Sequence, residues 1–420
     1  MTIVTHEALQ FGLGHLAAAT AERGHRLCLL TRDRSAYRYE LERDAGRRID
    51  VVDVETLDAG KVLDRLAGIP DLAGLISPTD AWSLHALEVA EKLGVPHQNA
   101  ESVALVRNKA RFRNLLNDRG LTRCRAEIVD PRSAARAELK ARLAYPVVVK
   151  DIAGTSSRSA WLVRRPGELD AALDAAKEVP LLGGGLTVES YFCGPLFSIE
   201  ALTWRNETRI FGVSSRVMSG EPQFREEGLS FPVALPTAAM EELEAWLVRV
   251  LDAVGYSDGF SHTEFIMTTT GPEVVEVNPR LAGALVGEAI CQTFDINVYG
   301  AFVDMALGRR PTLMDHDLRP RRGIAQFLMY PTRAGVVEAI DGMGALADHP
   351  GGPSLYPVLF PGDEVRNLTD QRGCVAILLA SGDTAELALS NVLSAVGKLH
   401  IRVRESQADH VRRIAEGVPA

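Results

Sequence analysis

Two glutamates on neighbouring apolar segments are the residues of this sequence best suited to metal and phosphate chemistry. Glu264 lies in the segment FSHTEFIMT, Glu276 lies in EVVEVNPR, and the turn sequence TTTGP joins the two segments. Antiparallel pairing of such a hairpin can place Glu264 beside Glu276 or Asn278 on one face. Adjacent carboxylates repel unless a hard dication lies between them, and Mg²⁺ binds a few such oxygens together with substrate phosphates. Arg280 could then take a phosphoryl oxygen, whereas a solvated sheet edge without a metal is the alternative.

A lysine at the end of a β-branched strand is followed by a loop of small and hydroxylic residues. The segment YPVVVK ends in Lys150, and Gly154, Thr155, Ser156 and Ser157 follow shortly afterwards. The ammonium group can meet a phosphate while loop amides and hydroxyls close over it. The order of glycine, lysine and hydroxyl differs from that of a Walker A loop. A solvated lysine at a strand end is the alternative interpretation.

The segment VESYFCGP predicts an apolar strand that ends at Gly194 and Pro195. Unpaired backbone groups at a strand end, flanked by Tyr191 and Phe192, would suit the edge of an adenine ring. A simple hairpin turn between two strands explains the same pattern equally well.

The sequence GLGHLA, from Gly12 to Ala17, matches the glycine pattern of dinucleotide-binding proteins. In that pattern the first glycine turns directly off the strand, which brings the helix N-terminus to the pyrophosphate. Here HEALQF separates Thr5 from Gly12, so the turn is not tight. A glycine-permitted turn before an alanine-rich helix is therefore the favoured interpretation over a dinucleotide-dependent oxidoreductase.

One long segment and two further residues near these groups are candidates to contact a substrate. The stretch from Ser214 to Pro236 is long, contains glycine and proline, and has little periodicity, so we expect it to line an acceptor pocket. The candidates to contact a substrate are Ser215, Arg216, His262 and Gly283. A solvated surface arginine and a structural histidine are the alternatives for Arg216 and His262.

The elements that must position these residues fall into three predicted units. Short apolar runs alternate with helical periodicity over the first hundred residues, which predicts βαβ units and a parallel sheet in a domain of residues 1–98. Residues 99–315 form the second predicted domain, with a small α+β lobe at about 121–197. Residues 316–420 form a third, smaller α+β unit.

Composition limits the class of function. The 420 residues are 46% hydrophobic and 24% charged, which is typical of folded proteins. The net charge of −9 argues against a nucleic-acid partner, and no apolar run is long enough to predict a membrane partner. The first residues lack a signal-peptide pattern, and the five cysteines are scattered, so we expect a cytoplasmic protein.

These segments, in this order, resemble the ATP-grasp superfamily. Lys109, VVVK with its small-residue loop, VESYFCG, HTEF and EVVEVNPRLAG carry the resemblance, which covers about residues 1–310. HTEF…GP…VVEVNPRLAG and EEGLSFPVALP are most similar to carboxylate–amine ligases of the L-amino-acid ligase type. The resemblance implies an α/β ATP-grasp fold with α+β lobes, an N-terminal Rossmann-like domain and a small C-terminal α+β domain.

The resemblance also implies a role for each residue. The nucleotide contacts would be Lys109, Lys150, Gly154, Thr155, Ser156, Ser157, Glu189, Ser190, Tyr191 and Phe192. The ligands of Mg²⁺ (or Mn²⁺) would be Glu264, Glu276 and Asn278. Arg280 would act in catalysis by stabilising the transferring phosphoryl group. Leu196 stands where many family members carry a ribose-binding glutamate, and Glu200 is the candidate replacement.

The implied reaction joins a small-molecule carboxylate and an amine, such as two amino acids, through an acyl phosphate, and releases ADP and phosphate. Dimers are common among such proteins, so a homodimer is an expectation. A carboxylase like biotin carboxylase and a non-catalytic nucleotide-binding protein are the alternatives.

Overall fold

The computed structural model of the protein describes residues 1–133, 135–155, 158–221 and 223–406. The described residues form four β-sheets flanked by helices, which confirms the predicted α/β class. None of the helices within these residues has both the length and the apolar character needed to cross a bilayer.

The N-terminal sheet is parallel, as the βα alternation predicts, with strand order β3-β2-β1-β4. Its strands are β1 (Thr2–His6), β2 (Arg26–Thr31), β3 (Asp50–Asp53) and β4 (Leu72–Ile76). The accompanying helices are α1 (Leu13–Glu22), α2 (Arg38–Leu41), α3 (Ala59–Leu66) and α4 (Ser83–Leu93). The loops that follow β1 and β4 leave adjacent strands at the carboxyl edge of the sheet, where ligand sites of such sheets are usually built.

The glycine pattern at the start of α1 is capped by the protein's own carboxylate. Glu40 accepts hydrogen bonds from the backbone N–H groups of Gly12 at 2.9 Å and Gly14 at 3.0 Å. A helix N-terminus attracts anions because its first N–H groups have no intrahelical partners. Since Glu40 already bonds these N–H groups, the structure favours the turn interpretation over a dinucleotide site.

Two helices lead into the small lobe, which is a four-stranded antiparallel sheet of order β5-β8-β6-β7. Its strands are β5 (Glu127–Val129), β6 (Val147–Asp151), β7 (Ala160–Val163) and β8 (Leu186–Ser190). The helices of this region are α5 (Ala100–Val106), α6 (Lys109–Asp118), α7 (Arg136–Arg142) and α8 (Pro166–Lys177). Asn108 caps α6 by accepting from the N–H of Arg111 at 3.0 Å, which places Lys109 in the first turn.

The remaining elements build a large antiparallel sheet and a C-terminal sheet. The strands are β9 (Leu196–Trp204), β10 (Glu207–Met218), β11 (Glu226–Phe231), β12 (Asp258–Thr268), β13 (Gly271–Asn278), β14 (Gly323–Met329), β15 (Gly335–Asp341), β16 (Ser354–Pro357), β17 (Glu364–Val365), β18 (Ala376–Gly382) and β19 (His400–Arg404). The helices are α9 (Thr237–Ala253), α10 (Val286–Phe294), α11 (Gly300–Ala306) and α12 (Ala385–Val396). Short 3₁₀ turns cover Arg34–Tyr37, Gly46–Arg48, Thr312–Asp315, Met343–Leu346 and Gln371–Gly373.

One eight-stranded sheet crosses the predicted boundary at residue 315. Its order is β13-β12-β9-β10-β11-β14-β18-β16, and β11 pairs directly with β14. The strands β17, β15 and β19 form a separate small sheet. The C-terminal region is therefore joined to the centre of the molecule by backbone hydrogen bonds, and the predicted domain limits stay a prediction.

An apolar cluster joins the N-terminal domain to the large sheet. It buries Leu13 of α1, Phe260 of β12, Leu285 at the start of α10, and Phe302 of α11. Burial of large apolar side chains is the main favourable term in such packing. This interface holds the carboxyl edge of the N-terminal sheet beside the end of β13.

Candidate active site

The hairpin of β12 and β13 places the two predicted carboxylates opposite each other. Glu264 is the direct cross-strand partner of Glu276, and His262 is the partner of Asn278. Directly opposite residues of an antiparallel pair lie on the same face, so the side chains of Glu264 and Glu276 share one side of the sheet.

Lys109 bridges the carboxylate of β13 and the loop of the small lobe. Its Nζ lies 3.0 Å from Oε2 of Glu276 and donates to the carbonyl of Gly154 at 2.6 Å. Asn278 donates from its side-chain amide to Oε1 of Glu276 at 2.8 Å. Burial disfavours the charge of Glu276, but Lys109 and these hydrogen bonds outweigh burial and lower its pKa. Glu276 is therefore an anion beside a lysine.

Lys150 belongs to a second buried ionic cluster, centred on Glu189. Oε2 of Glu189 lies 3.1 Å from Nζ of Lys150 and accepts from Arg113 at 3.0 and 3.1 Å. Burial lowers the pKa of Lys150, whereas burial of Glu189 is outweighed by the two cations, so the pKa of Glu189 is lowered. The resemblance assigns Glu189 to the nucleotide contacts, and in the structure its Oε2 contacts Lys150 and Arg113.

Arg113 is a site residue that the sequence reasoning missed. Its side chain is only 2% exposed, and it also donates to the backbone carbonyls of Val274 and Val275 in β13. It follows Lys109 by one helical turn of α6, so both cations lie on one face of the helix. That spacing was the available signal, but only the tertiary structure shows the partners of Arg113.

The predicted loop over the phosphates begins at Gly154 and Thr155. Its base is held by Asp151, whose carboxylate accepts from the N–H groups of Ala153, Leu182 and Gly183. Thr155 lines two cavities, which are described below. Ser156 and Ser157 lie outside the described residues.

The predicted adenine strand ends beside the same lysines. The N–H of Ser190 donates to Sγ of Cys124 at 3.1 Å, and the N–H of Tyr191 donates to the carbonyl of Pro146 at 3.1 Å. The hydroxyl of Tyr191 donates to Glu221 at 2.6 Å, and this bond, with burial, raises the pKa of Tyr191 to about 12. Because Glu221 follows β10, this bond links the large sheet to the small lobe.

Two cavities meet at the carboxylate pair. The lysine cavity is lined by residues of the small lobe and its neighbours, including Lys109, Lys150, Glu189, Ser190, Tyr191 and Phe192. The arginine cavity, of about 490 Å³, is lined by residues of all three predicted units, including Asp80, Arg216, His262, Arg280, Gly283 and Arg372. Both cavities are lined by Thr155, Leu196, Met218, Glu264 and Glu276.

The arginine cavity presents a histidine with a raised pKa and a buried arginine. His262 donates to Glu200 at 2.6 Å and to Glu264 at 3.1 Å. Burial opposes its charge, but Glu200 outweighs burial and the pKa of His262 rises to about 9. Arg216 donates to Glu226 at 2.5 Å and to Ser198 at 2.9 Å. Both cations can therefore face an anionic group in the cavity.

Two residues suggested by the sequence do not face the cavities. The hydroxyl of Ser215 bonds that of Ser230 at 2.8 Å, and Ser215 lies next to Arg216 on the opposite face of β10. Glu200 is fully buried, and its carboxylate lies 2.6 Å from the ring of His262. The substrate contacts we propose are therefore Arg216, His262 and Gly283 rather than Ser215, and Glu200 is excluded as the ribose ligand.

Arg280 reaches across the interface to the N-terminal domain. Its Nε donates to Oδ2 of Asp80 at 2.6 Å, and its Nη1 donates to the carbonyl of Leu281 at 3.0 Å. Burial disfavours the charge of Arg280, but Asp80 outweighs burial and raises the pKa of the guanidinium. The arginine is held as a cation at the wall of the arginine cavity.

The chemistry of the donor set fits a hard dication that also binds a nucleotide. The predicted ligands supply two carboxylates and one amide, and within the part of the chain that the structure describes no group of three or more acidic, histidine or cysteine side chains could hold a metal. Mg²⁺ needs only one or two carboxylates when substrate phosphates and waters complete its shell. Glu264 and Glu276 both line the two cavities and fit that arrangement. Asn278 is buried with its amide on Glu276, so its role as a third ligand stays a prediction.

Comparison with known proteins relates this geometry to a family. A family model described as "ATP-grasp domain" matches residues 143–288, and one described as "L-amino acid ligase C-terminal domain 2" matches residues 327–404. These matches confirm the predicted resemblance.

Individual proteins agree with the family models. An uncharacterized protein of Sinorhizobium fredii, y4rH, is 27% identical over 88% of this chain and 76% of its own length. A D-alanine–D-alanine ligase of a Mycobacterium species is 27% identical over 65% of this chain and 73% of its own. The crystal structure of an L-amino acid ligase from Bacillus licheniformis superposes with a TM-score of 0.79 at 20% identity, covering 96% of this chain and 98% of that one. The last likeness confirms the predicted fold.

Proposed function

Because the chain carries an ATP-grasp domain and a C-terminal domain of the L-amino acid ligase type, we propose that it is an ATP-dependent ligase that joins amino acids. The carboxylate of one substrate receives the γ-phosphoryl group of ATP, and the resulting acyl phosphate is attacked by the amine of the second. The products are an amide, ADP and phosphate.

One observation carries this proposal, namely that the Glu264–Glu276 pair lies between the lysine cavity and the arginine cavity. A phosphoryl transfer needs its donor and acceptor on opposite sides of one group of charges, held in line. The lysine cavity offers two ammonium groups for the nucleotide phosphates. The arginine cavity offers Arg216 and His262 for a substrate that also carries a carboxylate.

Each group of residues in the site has a separate role in the proposed reaction. Lys109 and Lys150 hold the phosphates of ATP, and Arg280 compensates the negative charge that develops on the transferred group. Glu264, Glu276 and Asn278 would hold Mg²⁺, which would neutralise charge on the phosphate oxygens. Gly154 and Thr155 begin the loop that excludes water, which would otherwise hydrolyse the acyl phosphate.

Binding of ATP requires that both lysines exchange partners. Lys109 now faces Glu276 and Lys150 faces Glu189, so phosphates must compete with these carboxylates. When Lys109 turns to a phosphate, the carboxylate of Glu276 becomes available as a metal ligand. Nucleotide and metal are therefore expected to bind together.

Amino acids fit the charge pattern of the arginine cavity. Its wall presents Arg216, His262 and Arg372 together with Glu226 and Asp80, so it can meet both a carboxylate and an ammonium group. A buried charge is favourable only where it is paired, which favours a zwitterionic substrate over an apolar one.

The deciding experiment measures phosphate release with ATP and Mg²⁺ over a matrix of amino acids and small acids, with mass spectrometry of the products. Amide formation coupled to ADP supports the proposal. ATP hydrolysis that depends on bicarbonate without an amine would instead identify a carboxylase. Binding of ATP without turnover over the whole matrix would identify a non-catalytic nucleotide-binding protein.

Location and assembly are part of the same proposal. Cys28, Cys124, Cys193, Cys291 and Cys374 are all free thiols, which fits a reducing compartment such as the cytoplasm. A homodimer stays a prediction, which light scattering of the purified protein tests.

A further inference from the structure

The contact between Arg280 and Asp80 joins residues that are 200 positions apart in the chain. Arg280 follows β13 in the ATP-grasp domain, whereas Asp80 lies in the loop that follows β4 of the N-terminal sheet. The side chains are 17% and 6% exposed, so water screens this ion pair little.

This contact fixes the plane of the guanidinium. The nitrogens of a guanidinium are coplanar, so bonds at two of them set the direction of the rest. Asp80 accepts a hydrogen bond from Nε of Arg280, and the carbonyl of Leu281 accepts one from Nη1. The remaining N–H bonds of Arg280 are then directed by the protein before any substrate arrives.

The contact with Arg280 accounts for the hydrogen bonding of the Asp80 carboxylate in the described part of the chain. Within the part of the chain that the structure describes, its Oδ1 is buried and has no hydrogen-bond partner. A buried carboxylate that serves only its own loop would be expected to bond nearby N–H groups, as Asp151 does. The carboxylate of Asp80 instead bonds the arginine of another domain.

The topology explains why this loop reaches the site. In the order β3-β2-β1-β4, the loops after β1 and β4 leave neighbouring strands at one edge of the sheet. Ala8, Leu9 and Gln10 of the first loop and Thr79, Asp80 and Trp82 of the second all line the arginine cavity. In open sheets of this kind, that edge is where ligands usually bind.

We propose that Asp80 is a positioning residue for Arg280, so that the N-terminal domain completes the active site instead of binding a nucleotide of its own. Asp80 acts through the arginine and does not contact the reacting atoms. The inference rests on the proposed function, because it assigns Arg280 to the transferred phosphoryl group.

A matched control is available at the same domain interface. Arg23, which follows α1, makes a bidentate ion pair with Asp304 of α11, at 2.6 and 2.8 Å. Neither residue lines the arginine cavity. If Asp80 served only to dock the N-terminal domain, loss of the Asp304 carboxylate would have the same effect as loss of the Asp80 carboxylate.

The experiment compares Asp80→Ala, Asp80→Asn and Asp304→Asn by steady-state ADP formation and by thermal unfolding. We expect Asp80→Ala to lower kcat by about 30- to 100-fold, with the KM for ATP changed less than about threefold, since an orientation is lost and not a nucleotide contact. Asp80→Asn keeps an acceptor for Nε and should be less affected. Asp304→Asn should stay within about threefold of wild type in both constants, because neither Asp304 nor Arg23 lines the arginine cavity.

A double variant tests whether Asp80 acts through Arg280. In an Arg280→Met background, Asp80→Ala should cause no further loss of kcat, because the group that it orients is gone. Equal losses in Asp80→Ala and Asp304→Asn, or fully multiplicative losses in the double variant, would overturn the inference.

A measurement without turnover separates this inference from the proposed function. In an NMR spectrum of the arginine side chains, the Nε–H signal of Arg280, assigned by its absence in Arg280→Lys, should be protected from exchange in wild type and in Asp304→Asn but not in Asp80→Ala. An unprotected signal in wild type would refute the positioning role. A protected signal in a protein that forms no amide would refute the proposed function alone.

Discussion

Replacement of Arg113 by methionine should weaken the fold and the binding of ATP by separate physical routes. Arg113 donates two hydrogen bonds to Glu189 and two to backbone carbonyls of β13, all from a side chain that is almost fully buried. Loss of one partner from a buried ionic cluster costs about 3–5 kcal/mol. We therefore expect the free energy of unfolding to fall by that amount in urea titrations.

The effect on ATP follows from the competition at Glu189. In Arg113→Met, Lys150 becomes the only cation that the structure places on Oε2 of Glu189, so the carboxylate holds it more strongly. Phosphates must then displace a tighter ion pair, and we expect the KM for ATP to rise about tenfold, or ~1.4 kcal/mol. In the double variant Arg113→Met/Glu189→Gln the neutral amide cannot hold Lys150 as an ion pair. The KM should return toward wild type while the loss of stability remains.

The control for Arg113→Met is an exposed ion pair at the C-terminal end of α6, the helix that carries Arg113. Arg125 lies 3.0 Å from Asp118, with side chains 66% and 59% exposed, so Arg125→Met should change the free energy of unfolding by less than about 1 kcal/mol. Equal stability of Arg113→Met and Arg125→Met, or a KM for ATP that is unchanged in Arg113→Met, would refute the role given to Arg113.

Three further expectations concern the metal pair, the histidine and the glycine turn. Glu276→Ala and Arg280→Met should each lower the kcat for ADP formation by at least about 100-fold while the far-UV circular dichroism spectrum is unchanged; turnover at the wild-type rate in either variant would contradict the site assignment. Because the folded-state pKa of His262 is raised to about 9, its ion pair should stabilise the fold fully below pH 6.5 and lose that contribution as pH rises through 9. Melting temperatures of wild type and His262→Gln should therefore converge at high pH, and a constant difference would contradict this. Glu40→Ala should lower the free energy of unfolding by about 1–3 kcal/mol, because the N–H groups of Gly12 and Gly14 lose their acceptor. Since Glu40 occupies these N–H groups in the wild type, NADH fluorescence should show no binding to it.

Whether the position of a single residue could be predicted from the sequence depended on how far away its partners are in the chain. Glu264 and Glu276 are joined by one turn, so alternating strands and a TTTGP turn were enough to predict that they could be neighbours. Ser215 and Arg216 are adjacent, and the sequence could not tell which of them faces the cavity, because a strand sends successive side chains to opposite faces. Glu200 was misplaced since nothing local shows that His262, 62 positions later, covers it.

The order of the motifs carried the resemblance to the ATP-grasp superfamily and gave the candidate lysines, metal ligands and Arg280, and the periodicity of the segments predicted the α/β class. Each of these signals lies within a short stretch of chain. Only the tertiary structure brought Arg113 to Glu189, Asp80 to Arg280 and β14 to β11, over separations of 76, 200 and about 100 positions. A buried charge requires a partner but does not specify where along the chain that partner lies, so these pairings are set by how the sheets and helices pack.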